Sequence, residues 1–147
     1  MAKCSEVMTR EPVACEPADS IKRVAEVMKR QDVGAVPVVD SKSSRRLVGI
    51  VTDRDIVVKV VAAGRSVDSS TARDAMTANA ATCREDQDVS VALSLMAKRK
   101  VRRMPIVDAE GRLVGIIAQA DVATRINKDK ATGELVEAIS APGTVRK

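Results

Sequence analysis

The sequence predicts an α+β fold made of two copies of a β-α-β-β-α unit, packed sheet to sheet with pseudo-two-fold symmetry. Three observations predict it. The phrase VGIVTDRDI at residues 48–56 returns as VGIIAQADV at 114–122. Ahead of each phrase, apolar residues recur at helical spacing. Between helix and phrase lie short runs of β-branched residues split by turn-forming ones.

The duplication extends well beyond the phrase. A shift of 68 residues superposes Met8-Thr9 on Met76-Thr77, Cys15 on Cys83, Met28 on Met96, Val33 on Val101, Pro37 on Pro105 and Asp40 on Asp108. Beyond Asp40 the shift falls to 66, because DSKSSRRLVG is two residues longer than DAEGRLVG, and length changes of this kind belong in loops. A three-stranded sheet with helices on one face buries little surface alone, whereas two of them close a common core. The repeats therefore fall at 3–64 and 71–127, with a linker at 65–70 and a C-terminal helix and tail at 128–147.

Each repeat opens on a short strand, Val13 to Cys15 and Ala81 to Cys83. The first helix follows, with Ile21, Val24, Ala25 and Met28 in one stripe, Val89, Ala92, Leu93 and Met96 in the other, and Ser20 and Asp88 as N-caps. AVPVV with LVGIV, and MPIV with LVGII, read as hairpins. Second helices begin near Asp53 and Gln119. Leu135, Val136 and Ile139 suggest a final helix over 131–141, ended by Pro142-Gly143.

Composition narrows the function. The chain has 147 residues, 45% of them apolar, yet no Phe, Tyr or Trp, so Val, Ile, Leu, Met and Ala must build the core. Three cysteines without CxxC spacing and no histidine exclude the usual zinc ligand sets and His-dependent triads, so neither metal, cofactor nor enzymatic activity is expected. No apolar run is long enough to span a bilayer, and MAKCSEVMTREP lacks the apolar stretch of a signal peptide, so a cytoplasmic protein is expected. A net charge of +5 favours anionic partners. Cys15 and Cys83 are expected to be small buried apolar residues, with a redox role the less favoured reading.

The paired phrases, each preceded by VPVVD or MPIVD and each repeat opened by an MT dipeptide, resemble those of the CBS domain. The resemblance covers residues 3 to about 127 and is to a tandem pair, a Bateman module, like the small standalone bacterial two-CBS proteins of hypoxia-response type. It implies an adenine nucleotide, AMP, ADP or ATP, or a related adenosyl compound, bound between the repeats. By the same likeness Thr52, Asp53 and Asp55 would contact ribose and phosphate opposite Ala81, Val101, Arg102, Arg103 and Pro105. A second, weaker site would hold Val13, Val33, Ala35, Pro37 and Asp121, since Ala118, Gly34 and Ala35 there replace the hydroxyl and both cations.

The residues themselves admit a second reading. Thr52 to Asp55 is also a helix-capping arrangement. Lys98, Arg99 and Lys100 are cations of the sort that gather at helix C-termini, whereas Arg102 and Arg103 open a strand, where a guanidinium can bind phosphate through two parallel bonds. The expected function is regulation of a separate effector protein by a homodimeric nucleotide sensor. The alternatives are a ligand-free dimerising scaffold and, less favoured without aromatic rings for base stacking, a nucleic-acid-binding protein.

Overall fold

The structure is a computed structural model that describes residues 2–129, with side chains through residue 124. In chain order the elements are α1 (Cys4–Val7), β1 (Thr9–Arg10), α2 (Ile21–Gln31), β2 (Ala35–Val39), β3 (Leu47–Thr52), α3 (Asp53–Ile56), a π-helical continuation at Val57–Val61, α4 (Ala72–Ala75), β4 (Cys83–Arg84), α5 (Val89–Arg99), β5 (Arg103–Val107), β6 (Leu113–Ala118) and α6 (Gln119–Asp129). They form two compact units. The first comprises Pro12–Ala80 and Glu110–Leu113, and the second the chain up to Glu11, Ala81–Ala109 and the chain from Val114 onward. The mixed helix-and-strand architecture is the α+β fold expected.

In the first unit β2 and β3 make an antiparallel hairpin with Ala35 opposite Thr52 and Val36 opposite Val51. Single-residue bridges flank it, Cys15 parallel to Val38 and Thr77 antiparallel to Ile50. Asp40 closes the hairpin loop, its carboxylate accepting from the Ser41 and Arg46 amides and from the Ser44 hydroxyl, and the Ser44 bond leads in holding its pKa below the usual carboxylate range. Helix α2 starts as expected, with Ser20 Oγ accepting from Arg23 N at 3.1 Å. Two more of its unpaired N-terminal amides, those of Ile21 and Lys22, donate to Ser70 O and Val67 O at 2.9 and 3.0 Å, so the linker is folded onto this helix. The buried face differs from the expected stripe: Ile21, Val24 and Val27 point inward and Ala25 outward. The larger apolar side chain occupies the interior, as burial per unit area favours. With Cys15, Val36, Val38, Val51 and Val60 these residues form the unit's core.

The second unit repeats this plan with fuller strands, in the order β1-β6-β5-β4. Thr9 lies opposite Ile116, Arg10 opposite Gly115, and Cys83 pairs in parallel with Ile106. Asp88 caps α5, accepting from Ser90 N at 3.3 Å. Cys4, Met8, Val89, Met96, Met104, Ile106 and Ile117 line the core.

The two sequence repeats and the two units are not the same divisions. In each unit the strand carrying the repeated phrase pairs with the Met-Thr dipeptide of the other repeat, Met76-Thr77 against β3 and Met8-Thr9 against β6. This explains the glycine kept in both phrases. A Cβ at Gly49 would lie 2.8 Å from Met76 Sδ and 2.9 Å from Thr77 O, and one at Gly115 would overlap Met8 Sδ and lie 2.7 Å from Met8 Cγ. The one-turn helices α1 and α4, ahead of these dipeptides, were not legible in the sequence. The strand expected at Val13 to Cys15 reduces to the bridge at Cys15, and that expected from Ala81 begins at Cys83. The helix expected at 131–141 lies outside the described residues.

Candidate functional site

Each repeated phrase forms a corner where a strand passes into a helix. In the first unit Asp53 N donates to Gly34 O at 2.9 Å, which fixes the start of α3 against the entry to β2. Thr52 Oγ1 accepts from Asp55 N at 3.1 Å and Asp55 Oδ2 accepts from Thr52 N at 2.9 Å, a reciprocal capping box. Asp55 Oδ1 meets Lys59 Nζ at 3.2 Å, with the Asp55 side chain 14% exposed and that of Lys59 40%. Lys59 Nζ also donates to Ala75 O, at the end of α4, at 3.1 Å. The capping arrangement is therefore real, yet it uses Thr52 Oγ1 only as an acceptor and leaves its O–H as a donor. Asp53 is exposed and its Oδ1 accepts from Arg54 N at 2.8 Å.

The second unit makes the equivalent corner with different chemistry. Gln119 N donates to Arg102 O at 3.0 Å, the counterpart of the bond from Asp53 to Gly34. Ala118 replaces the capping Thr, and Asp121 lies exposed in the first turn of α6. Lys98 and Arg99 occupy the last turn of α5, and Lys100 caps it in the left-handed conformation at φ 58°, as Asp32 caps α2 at φ 57°. Three cations of KRKVRR thus belong to a helix end, where they complement its dipole. Arg103 is half-buried and leads into Met104, Pro105 and Ile106, all buried, while Arg102 is exposed.

The expected site residues distribute by unit. Val13, Val33, Ala35, Pro37, Thr52, Asp53 and Asp55 are in the first, and Ala81, Val101, Arg102, Arg103, Pro105 and Asp121 in the second. Sequence reasoning missed Lys59, although its i, i+4 spacing from Asp55 was a readable signal.

All three cysteines are buried free thiols. Burial pushes the Cys15 thiol up to about 12 and that of Cys4 up to about 11, and raises that of Cys83. Thiols so held carry almost no nucleophilic thiolate near neutrality, which disfavours the redox reading. Among the described residues no three His, Cys, Asp or Glu side chains gather to hold a metal. No helix there is long and apolar enough to cross a membrane.

The CBS domain model matches the chain twice, over residues 4–62 and 72–128. The chain belongs to the CBS domain family. Hypoxic response protein 1 of Mycobacterium tuberculosis is 33% identical over 84% of this chain and 84% of its own. The crystal structure of that hypoxic response protein, with two coordinated zinc ions, has a TM-score of 0.77 at 29% identity and covers 84% of this chain and 98% of its own. CBSX2 of Arabidopsis thaliana in complex with AMP has a TM-score of 0.76 at 25% identity, over 88% of this chain and 99% of its own. The CBS domain pair of MJ0100, in complex with 5'-methylthioadenosine and S-adenosyl-L-methionine, has a TM-score of 0.74 at 25% identity, over 88% and 98%. The chain spans 59% of the length of MK0525 of Methanopyrus kandleri, to which it is 37% identical over 80% of its own residues. As a CBS pair it is a tandem module of the kind expected from the repeated phrases.

Proposed function

We propose that this CBS pair is a regulatory module that binds an adenine nucleotide, AMP, ADP or ATP, or a related adenosyl compound, and performs no catalysis of its own. The observation that carries the reading is the Thr52 to Asp55 corner, a hydroxyl donor and a carboxylate held in place by backbone bonds, in a chain similar to a CBS pair that holds AMP. Asp55 would accept from ribose hydroxyls, and Thr52 and Asp53 lie beside it. Arg102 and Arg103 would take phosphate oxygens, and Ala81, Val101 and Pro105 the base. Val13, Val33, Ala35, Pro37 and Asp121 would form the weaker set.

The absence of Trp and Tyr makes the first test direct, because a nucleotide carried through purification dominates the absorbance near 260 nm. Calorimetry with AMP should show one tight event per chain, lost in Asp55→Ala and kept in Asp121→Ala. Arg103→Ala should weaken AMP about ten- to a hundred-fold and adenosine far less, since what it removes is a charge-assisted contact to phosphate. Loss confined to the Asp121 variant would move the tight site to the other corner, and equal weakening of AMP and adenosine would reject the phosphate role.

A second reading is favoured by one observation: both Asp55 oxygens are already engaged, by Thr52 N and Lys59 Nζ. In that reading the corner is purely structural and the module a dimerising scaffold, recognised by the absence of any AMP or adenosine binding. Both readings include self-association. Val57, Val58 and Val61 are 56%, 48% and 59% exposed on the segment after α3, an apolar face suited to a symmetric homodimer. Light scattering should give twice the chain mass, and Val57→Lys with Val61→Lys should return it to one chain mass.

A further inference from the structure

Lys59 stands between two groups that sequence reasoning kept apart. Its ammonium lies 3.2 Å from Asp55 Oδ1 and 3.1 Å from Ala75 O, the last carbonyl of α4. The helix around it is π-helical over Val57–Val61, with Ala62 N bonded to Val57 O at 2.8 Å and Arg65 N to Val60 O at 2.9 Å, both reaching back five residues. An inserted residue of this kind rotates the following side chains relative to an ordinary helix and is frequent at functional sites. Here Val60 is fully buried while Lys59 stays on the corner side. Asp55 is thereby held at both oxygens, Oδ2 by Thr52 N and Oδ1 by Lys59, and its side chain keeps only a narrow exposed surface.

We propose that Lys59 is the positioning residue for Asp55: tethered to the end of α4, it sets the orientation in which the carboxylate meets the vicinal hydroxyls of a ribose. This rests on the nucleotide-binding reading above. A carboxylate accepts from two adjacent hydroxyls only when its plane is fixed with respect to both, and a cation anchored to backbone at its far side supplies that constraint without touching the ligand. Lysine suits the task because one compact ammonium can donate to carboxylate and carbonyl at once. The same tether ties the corner to α4, whose end leads directly into Met76-Thr77 and so into the packing against Gly49.

The test compares adenosine with 2',3'-dideoxyadenosine by calorimetry on the full chain. Wild type should prefer adenosine, and Lys59→Met, which keeps the aliphatic stem, should cut that preference about ten-fold, the scale of one mis-set charge-assisted bond. Lys59→Arg should restore most of it. In an Asp55→Ala background Lys59→Met should change neither affinity by more than about two-fold, because the groups act as a unit. Retention of the full preference in Lys59→Met overturns the proposal, as does a further loss in the Asp55→Ala background, which would mean that Lys59 touches the ligand itself. Failure of wild type to bind either nucleoside or AMP would instead reject the nucleotide-binding reading on which the proposal stands. Unchanged thermal melting of Lys59→Met separates loss of positioning from loss of fold.

Discussion

Gly49→Ala is expected to destabilise the protein by about 2 to 3 kcal/mol, the range seen when a methyl group is forced into a packed interior. The new Cβ would meet Thr77 O at 2.9 Å, and that carbonyl cannot move without disturbing the exchange of bonds between Ile50 and Thr77 at 3.1 and 2.8 Å. Gly115→Ala meets chiefly the Met8 side chain, with Thr9 O at 3.0 Å. Met8 is only 3% exposed and has little room to yield, so a similar loss is expected, but of a different kind. Met8→Ala should relieve much of the Gly115→Ala penalty and make the pair clearly non-additive. Met76→Ala should relieve Gly49→Ala far less, because the backbone contact remains. Urea unfolding of the four single and two double variants measures both couplings. Full additivity at Gly115 would show that Met8 is not what the glycine accommodates.

Raising the pH from 8 to 10.5 is expected to remove about 4 kcal/mol of stability through Cys4 and Cys15, about 2 from each. Both thiols are raised from an ordinary 9.0, that of Cys15 to about 12 and that of Cys4 to about 11, with burial the largest cause in each. The folded chain keeps these protons after the unfolded chain has released them. Stability is therefore fully present below about pH 9 and falls as the pH climbs toward the folded-state values. Lysine titration contributes in the same range, so the informative comparison is between variants. Cys15→Ala should lose about 2 kcal/mol less than wild type between pH 8 and 10.5. Identical losses in the two proteins would remove the thiol from the account.

Much of this was legible in the residues. Ser20 and Asp88 cap the helices on which they were placed, the two hairpins lie where β-branched runs predicted them, and both second helices begin at the corners marked by the phrase. These are local signals, each confined to a stretch that one helix or hairpin spans. The face of α2 was read one step off, because Ala25 fits the spacing as well as Val27 does and only packing chooses the larger side chain. At the candidate site, Thr52, Asp55 and the two arginines could be singled out by chemical type. That Asp55 is held by Lys59, itself anchored to Ala75 O, depends on a π-helical turn that no propensity announces.

By itself the sequence determined the duplication, the order of elements in each repeat, an interior of aliphatic side chains and sulfur, and a family recognisable from two short phrases. Tertiary structure decided which Met-Thr dipeptide pairs with which phrase. The two repeats carry nearly the same dipeptide and the same glycine, so each dipeptide could in principle pack on either strand, and periodicity cannot tell them apart. The choice is made by how far the chain must travel and which strand edge remains open when it arrives. Thr77 closes against Ile50 after the linker has been tied to α2, while Thr9 waits for Ile116, more than a hundred residues later. Pairings over such separations are set by the closure of the whole chain.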